Sequence, residues 1–473
     1  MPLPEDLRLK LRPGHARPAV VPVAHLIGVN GSGMKALAEF LFDLGWQVCG
    51  SDTQPLSSSL PSDSVWRRVQ FSLGHDAANV SPDAALVVHS PAIDALNPER
   101  IAASQRGLPV LSYVDMLAEL LSSRRAICIA GTHGKTTTTA MVATILRESG
   151  LSAAAIIGGE AVGYGRSGWA GNDELIVVEA CEYRRHFLQF QPHVAAILNI
   201  EPDHFDCFAT VQDAQAAFAE FAARVSANGR LFMPASEASS QAIADRAACP
   251  VERLAIGASD QLADWQTSEI ETIGNGSKFR VTSPNGESQS VALPVPGRHN
   301  VSNALAAIAV SHAVGVPLDA IAEGLSKFRG VRRRFEIRGE VRGATIIDDY
   351  AHHPTAVSAT IQTARQAFPG RRIVAAFQPH QVSRTQHLMN EFAAALALAD
   401  ETLLAPIFAA REDTQIAART LAELAERTRK NAGTVAVLTS LDHLSATLDD
   451  SARPGDVWLF LGAGDINTCG LPR

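Results

Sequence analysis

The segment Gly131-Thr132-His133-Gly134-Lys135-Thr136-Thr137-Thr138 constrains this chain more than any other. It lies between an apolar run at 126–130, of buried-strand length, and a helical stretch at 136–149. A glycine-bearing turn from a buried strand into a helix aims the helix's first backbone N–H groups at one spot, and such donors suit phosphate oxygens. Lys135 adds a cation for the terminal phosphates, and the Thr136 hydroxyl can coordinate magnesium. Counted from Gly131, the loop is two residues shorter than the standard G-x-x-x-x-G-K-[ST] spacing. The strand, turn and helix together predict a parallel sheet covered by helices.

At 473 residues the chain is too long for one ordinary core. Hydrophobic residues make up 46% and charged ones 19%, enough apolar material for several cores. A formal charge of -8 excludes the broad basic field that nucleic-acid binding needs. Six cysteines are scattered without a C-x-x-C pair, which predicts a reducing, cytoplasmic setting. No signal-peptide core opens the sequence, and no apolar run is long enough for a membrane span.

Further along, a strand at 21–28, a glycine-rich turn, a helix at 34–44 and a strand ending at Gly50-Ser51-Asp52 form a Rossmann-like opening. Residues 263–293 alternate in period two around Asn285-Gly286 and predict an antiparallel hairpin. Strands near 344–348, 372–377, 402–407 and 457–462 alternate with helices. Polar stretches at 122–125, a hinge, and at 330–334 divide the chain into 1–123, 124–329 and 330–473. The expected fold is three consecutive α/β domains: a Rossmann-like first domain, a central P-loop ATPase-like domain with a hairpin extension, and a Rossmann-like third domain.

The turn Gly28-Val29-Asn30-Gly31-Ser32-Gly33 departs from G-x-G-x-x-G, so it is a site for a diphosphate other than NAD or simply a structural turn. Glu179 and His204 follow two buried-strand patterns, where side chains of an open parallel sheet converge on the ligand crevice. They are candidate magnesium ligands, imidazole being an unusual choice for so hard an ion. Residues 296–304 open a helix that Asn300 can cap, and the acidic and histidine residues of 348–354 are either caps or metal ligands.

Taken in order, G-T-H-G-K-T-T-T, E-A-x-E, N-I-E-x-D-H-x-D, P-G-x-H-N-V-x-N-A, R-R-F-E and D-D-Y-A-H-H-P-T resemble the Mur ligase family from about residue 21 onward. Phe377-Gln378-Pro379-His380, Ser383-Arg384-Thr385 and Gly462-Ala463-Gly464-Asp465-Ile466 resemble the branch that joins L-alanine to UDP-N-acetylmuramate. The resemblance implies ATP and Mg2+ as cofactors. It implies that Gly31, Ser32, Gly33, Asp52, His75 and Ser90 line a UDP-sugar site. Gly131, Thr132, His133, Gly134, Lys135, Thr136 and Thr137 would hold the ATP phosphates, with Lys135 at the γ-phosphate. Thr136 and Glu179 would bind one magnesium and His204 a second. Asn199, His299, Asn300 and Asn303 would surround the ATP base or its pocket, and Arg333, Arg334, Asp349 and Tyr350 would reach the nucleotide from the third domain. His352, His380 and Arg384 would face the muramoyl carboxylate and the incoming amino acid. The catalytic set is thus Lys135, Glu179, His204, His352, His380 and Arg384.

Three positions depart from the family pattern. Cys181 stands where many relatives have aspartate, Tyr113 where they have arginine, and Gln381 where arginine follows Pro-His. The last leaves Arg384 as the main charge for an amino-acid carboxylate. Several relatives use a carbamylated lysine near the second magnesium, but residues 187–277 contain no lysine, so none is expected here. The competing readings are a ligase that attaches a recycled tripeptide to the same sugar nucleotide, a P-loop regulator without ligase activity, and a dinucleotide-dependent oxidoreductase.

Overall fold

A computed structural model describes residues 3–14, 20–56, 64–236, 240–257, 262–410, 412, 416–431 and 433–469. Its strands form three sheets. The first is parallel, in the order Gln70–Leu73, Gln47–Asp52, Val23–Ile27, Ala84–His89, Val110–Ser112. The order reverses beside the first strand, so the loop at 28–33 sits at the switch point where open α/β sheets place their ligands.

The central sheet has ten strands. Arg125–Ala130, the strand that feeds the phosphate loop, lies between Val194–Ile197 and Leu175–Glu179, all three parallel. The loops after these strands therefore open on the same edge. Strands Trp265–Ile273, Gly276–Thr282 and Ser288–Leu293 extend one side as an antiparallel meander, and Asn285-Gly286 turns between the last two. A hairpin, Ala154–Ala161 with Arg166–Trp169, closes the other side and was not foreseen in the sequence. Helices Lys135–Glu148 and Arg298–Ala313 are buried along most of their length, so they show no clear polar face to a periodicity reading.

The third sheet runs Glu336–Val341, Ala344–Asp349, Val457–Leu461, Ile373–Phe377, Glu401–Leu404, Val435–Val437, with only the first strand antiparallel. Its two edge strands are half-exposed and escaped the sequence reading.

At the polar junction 122–125, Ser122 and Arg125 are exposed but Arg124 is not. Arg124 is buried, donates to the carbonyls of Leu120 and Leu11, and lies over the Phe40 ring. Leu11 ends a short helix, Glu5–Leu11, whose Arg8 makes a paired hydrogen bond to Glu119. The proline-bearing start of the chain thus packs against the junction. Among the described residues, no helix is long and apolar enough to cross a membrane.

Candidate active site

The phosphate loop is shaped by its glycines. Gly134 has φ 81°, and a Cβ there would fall 2.3 Å from Asn303 Oδ1. Asn199 pins the loop from the neighbouring strand end: its Oδ1 accepts from His133 N at 2.8 Å and its Nδ2 donates to His133 O at 3.1 Å. Asn199 thus braces the loop backbone and also lines the cavity described below. Asn300 donates to the Pro296 carbonyl and accepts from Asn303. His299 stands exposed on the rim of the cavity described below.

Lys135 Nζ donates to the carbonyls of Gly131 and Thr132 and pairs with Glu182 at 2.9 Å. Burial alone would lower its pKa, but Glu182, with Cys181 and Glu179 behind it, raises the value instead and keeps the ammonium charged. The Thr136 hydroxyl donates to Glu179 Oε2 at 2.8 Å, and a Cβ on Gly158 would lie 2.2 Å from that same oxygen. His204 belongs to the other side of the lysine pair, its Nε2 3.4 Å from Glu182 Oε1, with its backbone in the left-handed region at φ 54°.

The loop 199–206 also forms the seam with the third domain. Thr355 Oγ1 donates to Glu201, His353 Nε2 meets the Pro202 carbonyl, and the Phe205 ring stacks on His387. Arg384 Nε donates to Asp203 Oδ1 at 2.8 Å, and both side chains are almost fully buried. Arg384 is therefore a paired cation whose Nη1 faces His380.

The two neighbouring arginines diverge. Arg334 reaches Thr136 Oγ1 at 3.4 Å, whereas Arg333 turns away and donates to the carbonyls of Gly462 and Gly464. Both lie over the Tyr350 ring. Asp349 spends its carboxylate on the N–H groups of Phe335 and Ala351. Burial, with the Arg384 charge nearby, pushes His352 well below the ordinary imidazole value and His380 to about 4, so both rings are neutral at pH 7.

One cavity of about 910 Å³ gathers most of these groups. Of the proposed ATP and catalytic residues, Gly131 and Arg333 do not line it. The proposed UDP-sugar residues lie elsewhere, in the first domain. Asp52 accepts from the Asn30 and Gln54 amides, and a Cβ on Gly33 would strike the Tyr113 hydroxyl at 2.8 Å. His75 is 3.0 Å from Ser51 Oγ and 3.2 Å from the buried Glu99, in a network that includes His25. Burial opposes the Glu99 charge, but hydrogen bonds from His25, Ser51 and Asn79 hold its pKa at about 2. Gly31 and Ser32 are exposed where the helix Ser32–Asp43 begins, and Ser90 abuts Gly28.

A second cavity of about 570 Å³ lies beside Ser90, and Arg184 and His186 of the central domain help to line it. Neither was singled out in the sequence, although Tyr183-Arg184-Arg185-His186 is a compact basic cluster just after Glu182. Glu182 and Asp203 were likewise quoted within motifs without a role, because an ion-pair partner leaves no periodic signal.

Lys135 and Lys278 bracket a stretch with no lysine, and Lys135 is already paired beside His204. Intact-mass analysis in bicarbonate is expected to show no carbon-dioxide adduct that depends on this site; an adduct mapped to a lysine beside His204 would refute this.

Comparison with known proteins gives a consistent answer along the chain. Residues 23–125 match "Mur ligase family, catalytic domain", 129–311 "Mur ligase middle domain", and 333–464 "Mur ligase, glutamate ligase domain". The UDP-N-acetylmuramate--L-alanine ligase of Oleidesulfovibrio alaskensis is 40% identical over 449 residues, 94% of this chain and 97% of that protein. The enzyme of the same name from Acidithiobacillus ferrooxidans is 41% identical over 447 residues, 93% of this chain and 95% of that one. Among solved structures, a UDP-N-acetylmuramate-alanine ligase from Thermotoga maritima superposes with a TM-score of 0.77 at 27% identity, covering 94% of this chain and 96% of that chain. A murein peptide ligase from Psychrobacter arcticus gives 0.71 at 29% identity, covering 94% and 97%. With three matching regions in the same order and relatives aligned over nearly their whole length, this chain belongs to the Mur ligase family.

Proposed function

We propose that the chain is an ATP-dependent ligase that joins L-alanine to the carboxylate of UDP-N-acetylmuramate, in the cytoplasmic stage of peptidoglycan synthesis. The observation that carries this reading is the meeting of a phosphate loop with third-domain histidines and an arginine around one cavity. The names of relatives about 40% identical over nearly the whole chain favour L-alanine over the tripeptide.

A carboxylate is a poor electrophile and needs activation. Its oxygen attacks the γ-phosphorus, the bond to the ADP oxygen breaks, and an acyl phosphate forms. The amine of L-alanine then attacks the acyl carbon and loses a proton, and inorganic phosphate leaves with the former carboxylate oxygen. No enzyme nucleophile is required, so the protein contributes alignment and charge. Lys135 offsets charge on the transferring phosphoryl group, and Arg334 reaches the same place from the third domain. His380, held at about 4, accepts a hydrogen bond but is a weak base. The contacts between loop 199–206 and the third domain favour a closed arrangement that keeps water from the acyl phosphate.

Thr136 and Glu179 are hard oxygen donors 2.8 Å apart and fit magnesium. A bound ion would neutralise phosphate charge. His204, set beside Glu182, offers a second position.

Carboxylate-labelled UDP-N-acetylmuramate tests the route. One 18O per turnover is expected in the released phosphate; phosphate without label would rule out the acyl phosphate.

A further inference from the structure

Three side chains with no part in the scheme above as electron-pair donors meet at the domain seam. They are His133 of the phosphate loop, Glu201 of the loop after Val194–Ile197, and His353, which caps the third-domain helix Pro354–Ala367. Glu201 Oε2 lies 3.3 Å from His133 Nε2 and 3.6 Å from His353 Nδ1. One ligand atom from each residue lies within 4.8 Å of the other two.

His353 is the informative member. It is almost fully buried, and its Nε2 is 3.1 Å from the Pro202 carbonyl oxygen, which can only accept. Nε2 therefore carries the proton. Burial, with His133 nearby, lowers the ring's pKa, so Nδ1 is an unprotonated acceptor at neutral pH. Its donor is the Thr355 N–H at a long 3.4 Å. The carboxylate facing it carries no proton either, because hydrogen bonds from His133 and Thr355 outweigh burial and hold Glu201 at about 2. Two acceptors thus face each other at the edge of the cavity, an arrangement that a cation between them would relieve.

We propose that His133, Glu201 and His353 form a binding site for a zinc-class divalent ion that ties the phosphate loop to the third domain. Two imidazoles and one carboxylate suit zinc better than magnesium, which prefers an all-oxygen octahedron. Ligand atoms about 2.1 Å from a tetrahedral ion stand about 3.4 Å apart, close to the two separations to Glu201. The Nε2–H bond to a backbone carbonyl is the support that metal-binding imidazoles ordinarily have. The set is separate from Thr136 and Glu179, and because His353 comes from the third domain, occupancy holds the two domains together.

The test uses the full chain, stripped of metal by a chelator and saturated with Mg2+ without nucleotide. Zn2+ is titrated against a competing indicator, and Co2+ is used for its visible absorption. One Zn2+ equivalent is expected, weakened at least about tenfold by Glu201→Gln and by His353→Asn and retained in His204→Ala. Zinc-edge X-ray absorption on the unsubstituted protein is expected to show two imidazoles, which keeps the test valid if the cap variant folds poorly. No zinc binding, binding unchanged in both seam variants, binding lost only with His204, or a zinc shell without two imidazoles would each overturn the proposal.

Discussion

Lys135→Ala is expected to lower the rate of ADP formation by about two to three orders of magnitude, the usual effect of removing one preorganised charge donor from a transition state. Binding of UDP-N-acetylmuramate, read by calorimetry, is expected to change little, because that ligand is assigned to the first domain. The ion pair adds a complication. Without Lys135, the buried Glu182 loses its lysine partner, keeps the His204 ring beside it and repels incoming phosphates. Lys135→Ala/Glu182→Gln is therefore expected to fold more stably than the single variant while remaining slow. A double variant with restored turnover would show that the lysine serves the pair and not the phosphate. Equal loss of turnover and of sugar-nucleotide binding would undo the division of labour between domains.

Arg384→Ala is expected to act twice. Removing the guanidinium leaves Asp203 buried and unpaired, a loss on the order of 3–5 kcal/mol for a buried ion pair broken on one side. It also removes a cation beside His380 where the amino-acid carboxylate is proposed to dock, for which about 2–4 kcal/mol is reasonable. These effects separate in Asp203→Asn/Arg384→Ala. The double variant is expected to recover thermal stability but still to require far more L-alanine, with sugar-nucleotide binding unchanged. If it recovers L-alanine dependence as well, Arg384 is a seam residue and the carboxylate is held elsewhere.

The parallel strands and the phosphate loop were legible because each is local: an apolar run, a glycine turn and a lysine lie together in the chain. The nearness of Glu179 and His204 to the phosphate loop was legible from their places after strands, since neighbouring parallel strands deliver their loops to one edge. The partners of these residues were not legible in the same way. Glu182 and Asp203 matter through Lys135 and Arg384, and those pairings depend on loop conformation and domain contact, which no sequence period records. Arg333 and Arg334 look equivalent in the sequence, yet the left-handed backbone at Arg333, φ 59°, sends its side chain to Gly462 and Gly464 and only its neighbour to Thr136. The contacts of the junction at 122–125 were hidden for a related reason. Its polar composition suggests solvent, but Arg124 is buried and donates to the Leu11 carbonyl of the first helix, distant in sequence.

The most direct test of the central claim is ADP release measured with UDP-N-acetylmuramate, Mg2+ and a panel of amino acids, with the tripeptide included. Turnover is predicted only when sugar nucleotide, metal and amine are all present, with L-alanine the best amine. Substantial turnover with ATP alone, or better use of the tripeptide than of L-alanine, would contradict it.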